Sequence, residues 1–122
     1  MNIHESSEDY LESVLILCRQ HGSARSVDIA SRLGVSKPSV SVAMKKLREN
    51  GYILMGDDNR ITLTPEGEAI ACRTLEKHDL LCTLLIRLGV SEETALADAC
   101  KIEHDLSEET FEAIRNHLKA FS

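Results

Sequence analysis

The chain has 122 residues, with 14 Lys and Arg against 20 Asp and Glu and a formal charge of −6 with His neutral. That is room for one domain or two small ones, and the acidic balance excludes indiscriminate binding to nucleic acid. Hydrophobic residues make up 43% and aromatics only 3%, with no Trp, so the core is aliphatic and helices are favoured over a β-sandwich. No apolar run approaches the ~20 residues of a bilayer span. Met1-Asn2-Ile3-His4-Glu5 also lacks the basic-then-apolar pattern of a signal peptide. A cytoplasmic protein with no membrane partner is expected. Cys18, Cys72, Cys82 and Cys100 form no C-x-x-C pair, which points to reduced thiols rather than a disulfide framework or a zinc knuckle.

The first helix is expected after Ser6-Ser7, whose hydroxyls suit an N-cap, with Glu8 and Asp9 complementing the first turn. Leu11, Val14, Leu15 and Cys18 recur at helical spacing, and Gly22 ends the run. Ser26 then caps a short helix with Val27, Ile29, Ala30 and Leu33 facing inward, stopped by Gly34. Ser36-Lys37-Pro38 starts the next, because proline is tolerated in a first turn whose amides are free. Its stripe of Val40, Met44 and Leu47 runs to Asn50-Gly51. Two helices joined by a tight turn containing glycine read as helix-turn-helix. Tyr52 to Met55 and Arg60 to Leu63 are β-prone runs flanking Gly56-Asp57-Asp58-Asn59, a hairpin. The first half therefore reads as a winged helix-turn-helix with a two-stranded wing.

Thr64-Pro65-Glu66-Gly67 opens a long helix through Leu88, with Gly89 as its stop. Ser91-Glu92-Glu93 starts a helix running to about His104, and Ser107-Glu108-Glu109 starts a last one. The fold class is mainly α, with a DNA-binding domain at 1–64 and an all-helical metal-binding and dimerisation domain at 65–122, joined rigidly by the long helix. Charge divides the same way. Residues 25–60 hold seven bases and four acids, whereas residues 65–122 hold six bases and twelve acids, so the two halves suggest two jobs.

On the second helix of the pair, Ser36, Lys37, Ser39, Ser41, Lys45 and Lys46 lie mostly off the apolar stripe, where hydroxyls and amines suit phosphate oxygens and base edges. Pro38 and Val42 suit thymine methyls. Arg60 in the wing is either a DNA contact or a surface base beside Asp57 and Asp58. The competing reading of the helix is a solvated face with a Ser cap; the hairpin and the local positive charge favour DNA. In the acidic half, Cys100, Glu103 and His104 are spaced i, i+3, i+4, and Asp9 and Glu12 repeat i, i+3 on the first helix. Thiolate, imidazole and carboxylate together suit a first-row transition metal better than calcium or magnesium. Taken singly, each has an ordinary reading: Cys100 a small core hydrophobe, Glu12 and Glu103 solvated acids, Asp9 a dipole partner, His78 a core histidine and His104 a helix-terminal cation.

Glu8-Asp9-Tyr10-Leu11-Glu12, Lys77-His78-Asp79-Leu80-Leu81 and Cys100-Lys101-Ile102-Glu103-His104-Asp105-Leu106-Ser107 resemble the three metal-ligand segments of the diphtheria toxin repressor family, which includes iron-dependent repressors and manganese transport regulators. The likeness spans nearly the whole chain, including the Ser36-Lys37-Pro38-Ser39 helix start and the Leu63-to-Gly67 junction. It implies a homodimeric repressor that binds a double-stranded DNA operator when activated by Fe²⁺ or Mn²⁺, with no small-molecule substrate and no enzymatic activity. By the same resemblance Asp9, Glu12, His78, Glu103 and His104 match ligands of the manganese-type site. Cys100 stands where manganese regulators carry glutamate and iron-type repressors cysteine, so the site is a hybrid. An ancillary site of iron-type members uses a histidine matching His78, but its glutamate falls at Cys82 and its second histidine at Leu96. Longer members continue into an SH3-like domain, and the resemblance is to the short two-domain form.

Leu80, Leu81, Leu84, Leu85 and Leu88 offer more apolar surface than one stripe needs, which suits a dimer interface as well as an internal core. Two other functions remain open at this point: a metal-independent winged-helix regulator, and a small metal-dependent hydrolase using the same ligands.

Overall fold

The computed structural model describes residues 5–120, so the reading of Met1 to His4 lies outside the described residues. Six helices and one hairpin follow in the order α1 (Glu5–His21), α2 (Ser26–Leu33), α3 (Lys37–Glu49), β1 (Ile53–Met55), β2 (Ile61–Leu63), α4 (Pro65–Arg87), α5 (Glu92–Ile102) and α6 (Glu108–Ala120). They form two compact units, Met1–Arg73 and Thr74–Ser122, and the division falls within α4. The start of that helix is where the sequence suggested a boundary. Among the described residues no helix is long and apolar enough to cross a membrane.

In the first unit α1 is already helical at Glu5, so Ser6 and Ser7 sit inside its first turns and neither is the expected cap. Its buried stripe is Leu11, Val14, Leu15 and Leu17. Gly22, at φ 85°, donates its N–H to the Cys18 carbonyl at 2.7 Å and turns the chain out of the helix. Ala24 then exchanges backbone hydrogen bonds with Ile61 at 2.9 and 2.8 Å. This bridge holds Arg25 extended (φ −121°, ψ 147°), so Arg25 occupies the N-cap position of α2 with no side-chain cap, and Ser26 is the first helical residue instead of the cap. Ile29 and Ala30 are buried as expected; Val27 is 49% exposed because the shifted start turns it outward. Gly34 closes α2 in the left-handed conformation (φ 67°).

Ser36 caps α3 as expected, accepting the Ser39 N–H at 3.2 Å, with Pro38 in the first turn. Val40, Met44 and Leu47 bury its inner face. β1 and β2 pair antiparallel with Ile53 opposite Leu63 and Met55 opposite Ile61. The turn between them closes through Gly56 N–H to the Arg60 carbonyl at 2.9 Å, with Asn59 at φ 62°. Tyr52 and Arg60, expected in the strands, lie just outside them. The Tyr52 backbone is committed elsewhere: its N–H donates to Leu47 and its carbonyl accepts from Thr64.

That carbonyl also fixes the start of α4. Thr64 Oγ1 accepts the Gly67 N–H at 3.1 Å and donates to the Gly51 carbonyl at 2.6 Å. A Cβ on Gly67 would stand 1.9 Å from the Tyr52 oxygen, and backbone cannot swing away as a side chain can. Gly67→Ala is expected to destabilise the first unit by about 3 kcal/mol, the upper end of overpacking costs. The check is a chemical denaturation midpoint, and an unshifted one would show that the junction is looser than this contact requires.

In the second unit the part of α4 from Thr74 onward packs with α5 and α6. Leu81, Cys82 and Ala99 form a buried cluster joined by Leu106 and Ile114. Small residues at Ala95 and Ala99 allow close helix approach, bringing the Cys82 thiol 3.9 Å from the Ala95 carbonyl. Phe111 is buried beneath the Arg115 guanidinium, whose carbon stands 4.7 Å from the ring centroid. Arg115 is held in turn by Glu76 and Glu112. Ser91 and Ser107 cap α5 and α6 through Thr94 and Thr110 N–H groups at 3.3 and 3.2 Å. Of the leucines read as an interface, Leu81 belongs to this internal core, Leu80, Leu84 and Leu85 are half-buried, and Leu88 is exposed.

α5 ends at Ile102, short of the expected His104. Glu103 is its C-cap, still bonded to Ala99 at 3.0 Å, and Asp105 N–H turns back to the Ile102 carbonyl at 2.9 Å. Glu103 and His104 therefore sit in the turn that ends the helix, and Cys100 remains on its last turn.

Candidate functional site

Two groups of side chains, one in each unit, carry the chemistry. In the first unit Ser36, Lys37, Pro38, Ser39, Ser41, Lys45 and Lys46 are all exposed, and Val42 is 57% exposed beside them. A helix that buries only Val40, Met44 and Leu47 offers this whole outer face to a partner. Ser36 is occupied as the cap, and its hydroxyl also lies 2.8 Å from that of Ser39. Ser41 and Lys45 line a groove of about 580 Å³ bounded on its far side by Met55, Asp58 and Asn59 of the wing. Arg60 is paired: its Nε lies 3.1 Å from Asp58 Oδ2, and its N–H donates to Asp58 Oδ1 at 3.2 Å. A guanidinium held in this way is positioned at the wing but has its charge partly answered.

Asp9 and Glu12 stand one turn apart on α1, both half-buried. The four cysteines differ in their surroundings. Cys18 donates to the Ile61 carbonyl at 3.6 Å, and burial pushes its thiol up, away from thiolate chemistry. Cys72 receives an Arg19 N–H at 3.7 Å. Cys82 and Cys100 both border the imidazole of His78.

That imidazole lies at the centre of the second group. His78 Nδ1 stands 2.9 Å from Glu103 Oε2 and 3.7 Å from Cys100 Sγ, while its Nε2 stands 3.6 Å from Cys82 Sγ. His104 Nε2 lies 3.4 Å from the other Glu103 oxygen. The side chains of Glu103 and His104 are 1% and 3% exposed. A carboxylate so far from water is costly unless opposite charge meets it, and both its oxygens face imidazoles, which are neutral whenever they act as ligands. Two imidazole nitrogens thus meet the two oxygens of one buried carboxylate at the C-terminal end of α5, where the helix dipole favours a cation, and the Cys100 thiol borders one of those imidazoles. The set fits a first-row divalent metal. Sequence reasoning reached three of these groups by spacing and His78 by resemblance. Cys82 was read only as a departure from an ancillary site, although its i+4 spacing from His78 already put the two on one face of α4.

Comparisons with known proteins match both halves of the chain to one family. Residues 2–58 match the family described as iron-dependent repressor, N-terminal DNA-binding domain, and residues 64–122 match iron-dependent repressor, metal-binding and dimerisation domain. The transcriptional regulator MntR of Escherichia coli is 44% identical over 111 residues, which cover 91% of this chain and 72% of that protein. Among solved structures, IdeR of T. acidophilum superposes with a TM-score of 0.84 at 29% identity, covering 98% of this chain and 55% of that one. A manganese-dependent transcriptional repressor in complex with manganese gives 0.83 at 28% identity, covering 93% and 52%. The chain spans about half the length of these two solved structures.

Proposed function

The chain belongs to the iron-dependent repressor family of metal-responsive DNA-binding transcriptional repressors, and from that premise we propose that it is a homodimeric repressor whose hold on a DNA operator is switched on by Mn²⁺ or Fe²⁺. The observation that carries the metal half is the buried Glu103 carboxylate between His78 and His104, with the Cys100 thiol beside His78. We assign His78, Cys100, Glu103 and His104 as ligands on that geometry, and Asp9 and Glu12 on the family resemblance. When bound, the metal supplies the positive charge that this donor set lacks.

The residues then divide the work. Glu103 and His104 are fixed by the end of α5, and His78 by α4, so three of the donors are preorganised on folded elements. Asp9 and Glu12 belong to α1, a helix of the DNA-binding unit itself, and their participation gives metal binding a consequence for DNA. In thermodynamic form, metal must favour the DNA-competent arrangement over others, and DNA then favours metal to the same degree. Dimerisation through the second unit sets two α3 helices to enter successive major grooves. The relatives are transcriptional regulators, and we read this chain likewise as a binding protein without turnover.

Recognition is assigned to α3. Ser39 and Ser41 reach bases or phosphates, Pro38 contributes apolar contact, and Lys37, Lys45, Lys46 and Arg60 act through phosphate charge. Ser36 serves as the cap that presents them. The test is to select an operator from a random-sequence duplex pool with metal, then to compare variants on that operator and on random duplex. Ser39→Ala with Ser41→Ala is expected to weaken operator binding by about 1–3 kcal/mol and random binding far less. Equal loss on both duplexes, or no loss, would remove α3 as the reader. Selection that enriches a sequence equally with metal or chelator would favour a metal-independent regulator.

A further inference from the structure

We propose that the groove between α3 and the wing is a phosphate-anchoring subsite for the backbone of duplex DNA, with Arg25 and Arg48 as its principal cations. It rests on the repressor reading and adds to it two residues that the outer face of α3 did not include. Arg48 follows Ser41 and Lys45 at i, i+4, i+7, so one side of α3 carries a hydroxyl and two cations along the groove. Arg25 comes from a different element. The Ala24–Ile61 bridge holds its backbone extended at the start of α2, and its side chain lines the same groove.

Charge is what identifies the occupant. Arg25, Lys45 and Arg48 line one groove of about 580 Å³, and no ion pair holds any of the three among the described residues, whereas Arg60 on the wing is held by Asp58. Asp58 is the one acid lining the groove, and both its oxygens are already engaged by Arg60, one by the guanidinium and one by the backbone N–H. What remains is three cations with Ser41 and Asn59 supplying neutral hydrogen-bonding groups, in a chain whose net charge is −6. Concentrating unanswered cations in one groove of an acidic protein suits a polyanion. The groove borders the exposed face of α3, so a duplex lying on that face brings a phosphate run to it. Arginine pairs bidentately with phosphate oxygens. Because the two arginines meet backbone and not bases, they add affinity and fix register without reading sequence.

The experiment measures the slope of log affinity against log salt for the full chain with Mn²⁺, on the selected operator and on random duplex. Arg25→Ala and Arg48→Ala are each expected to reduce the slope by about one per subunit, and to weaken both duplexes by the same factor. Arg48→Lys should keep the slope, and Arg32→Ala, which removes an α2 charge outside the groove, should leave it unchanged. A slope for the groove variants equal to that of Arg32→Ala overturns the proposal, as does a loss confined to the operator, which would make these residues base readers. If the unaltered chain retains neither duplex with Mn²⁺, the repressor reading itself has failed and the subsite falls with it.

Discussion

Replacing Glu103 by glutamine is expected to lower metal affinity at least about 100-fold and to abolish metal-activated operator binding, while the second unit stays folded. Loss of a group that merely orients a ligand costs 10–100-fold in metal affinity, so loss of a charged ligand lies at or beyond that range. The effect is specific because the substitution keeps the shape. The carboxylate is buried with its oxygens 2.9 Å from His78 and 3.4 Å from His104, and an amide can still hydrogen-bond to both rings. The carboxamide removes the charge but leaves the packing of Leu81, Ala99 and Leu106 intact. Calorimetric titration of Mn²⁺, beside far-ultraviolet circular dichroism of the same sample, separates ligand loss from unfolding. A variant that keeps full metal affinity would show that Glu103 is an internal hydrogen-bonding group and no ligand. His104→Ala is expected to follow the same direction, since its imidazole meets the opposite oxygen.

Exchanging Cys100 for glutamate is expected to shift the metal preference toward Mn²⁺ by about tenfold. The thiol lies 3.7 Å from His78 Nδ1 on the last turn of α5 and is exposed, so it is not a core packing group. A thiolate is softer than a carboxylate, and Mn²⁺ stands lowest in the first-row affinity order, so sulfur penalises it most. Asp9 and Glu12 are hard donors that oppose this bias. Both metals should therefore activate the unaltered chain, with Fe²⁺ modestly favoured under anaerobic conditions. Anaerobic titration of each metal against operator binding, before and after Cys100→Glu, measures the shift. An unchanged preference would place the sulfur outside the donor set.

Local chemistry made much of the first unit readable. Ser36 and Pro38 start α3, Gly34 stops α2, and Gly56 to Asn59 turn the hairpin, each through groups within a few residues of one another. What escaped depends on distant partners. Ser26 looked like a cap because nothing nearby reveals that Ala24 pairs with Ile61, and that pairing makes Arg25 the residue before the helix. Val27 was assigned inward for the same reason. The end of α5 was invisible because Lys101 to Leu106 contains no glycine or proline. The helix stops where Leu106 must turn to join Leu81 and Ile114. The site behaves alike: i, i+3, i+4 spacing found Cys100, Glu103 and His104, but only tertiary packing sets His78 between two thiols and against the buried carboxylate.

Control of DNA binding by metal is tested most directly by closing the thermodynamic cycle between the two ligands. Operator affinity is measured with Mn²⁺ and with chelator, and Mn²⁺ affinity with and without operator, using the full chain at one salt concentration. Linkage requires the two ratios to be equal, and allosteric couplings of this kind fall at about 5- to 150-fold. The expected result is that Mn²⁺ tightens operator binding by a factor in that range and that operator tightens Mn²⁺ binding by the same factor. Operator affinity unchanged by chelation, with Mn²⁺ affinity indifferent to DNA, would contradict metal-controlled repression and leave a winged-helix regulator that binds DNA without it.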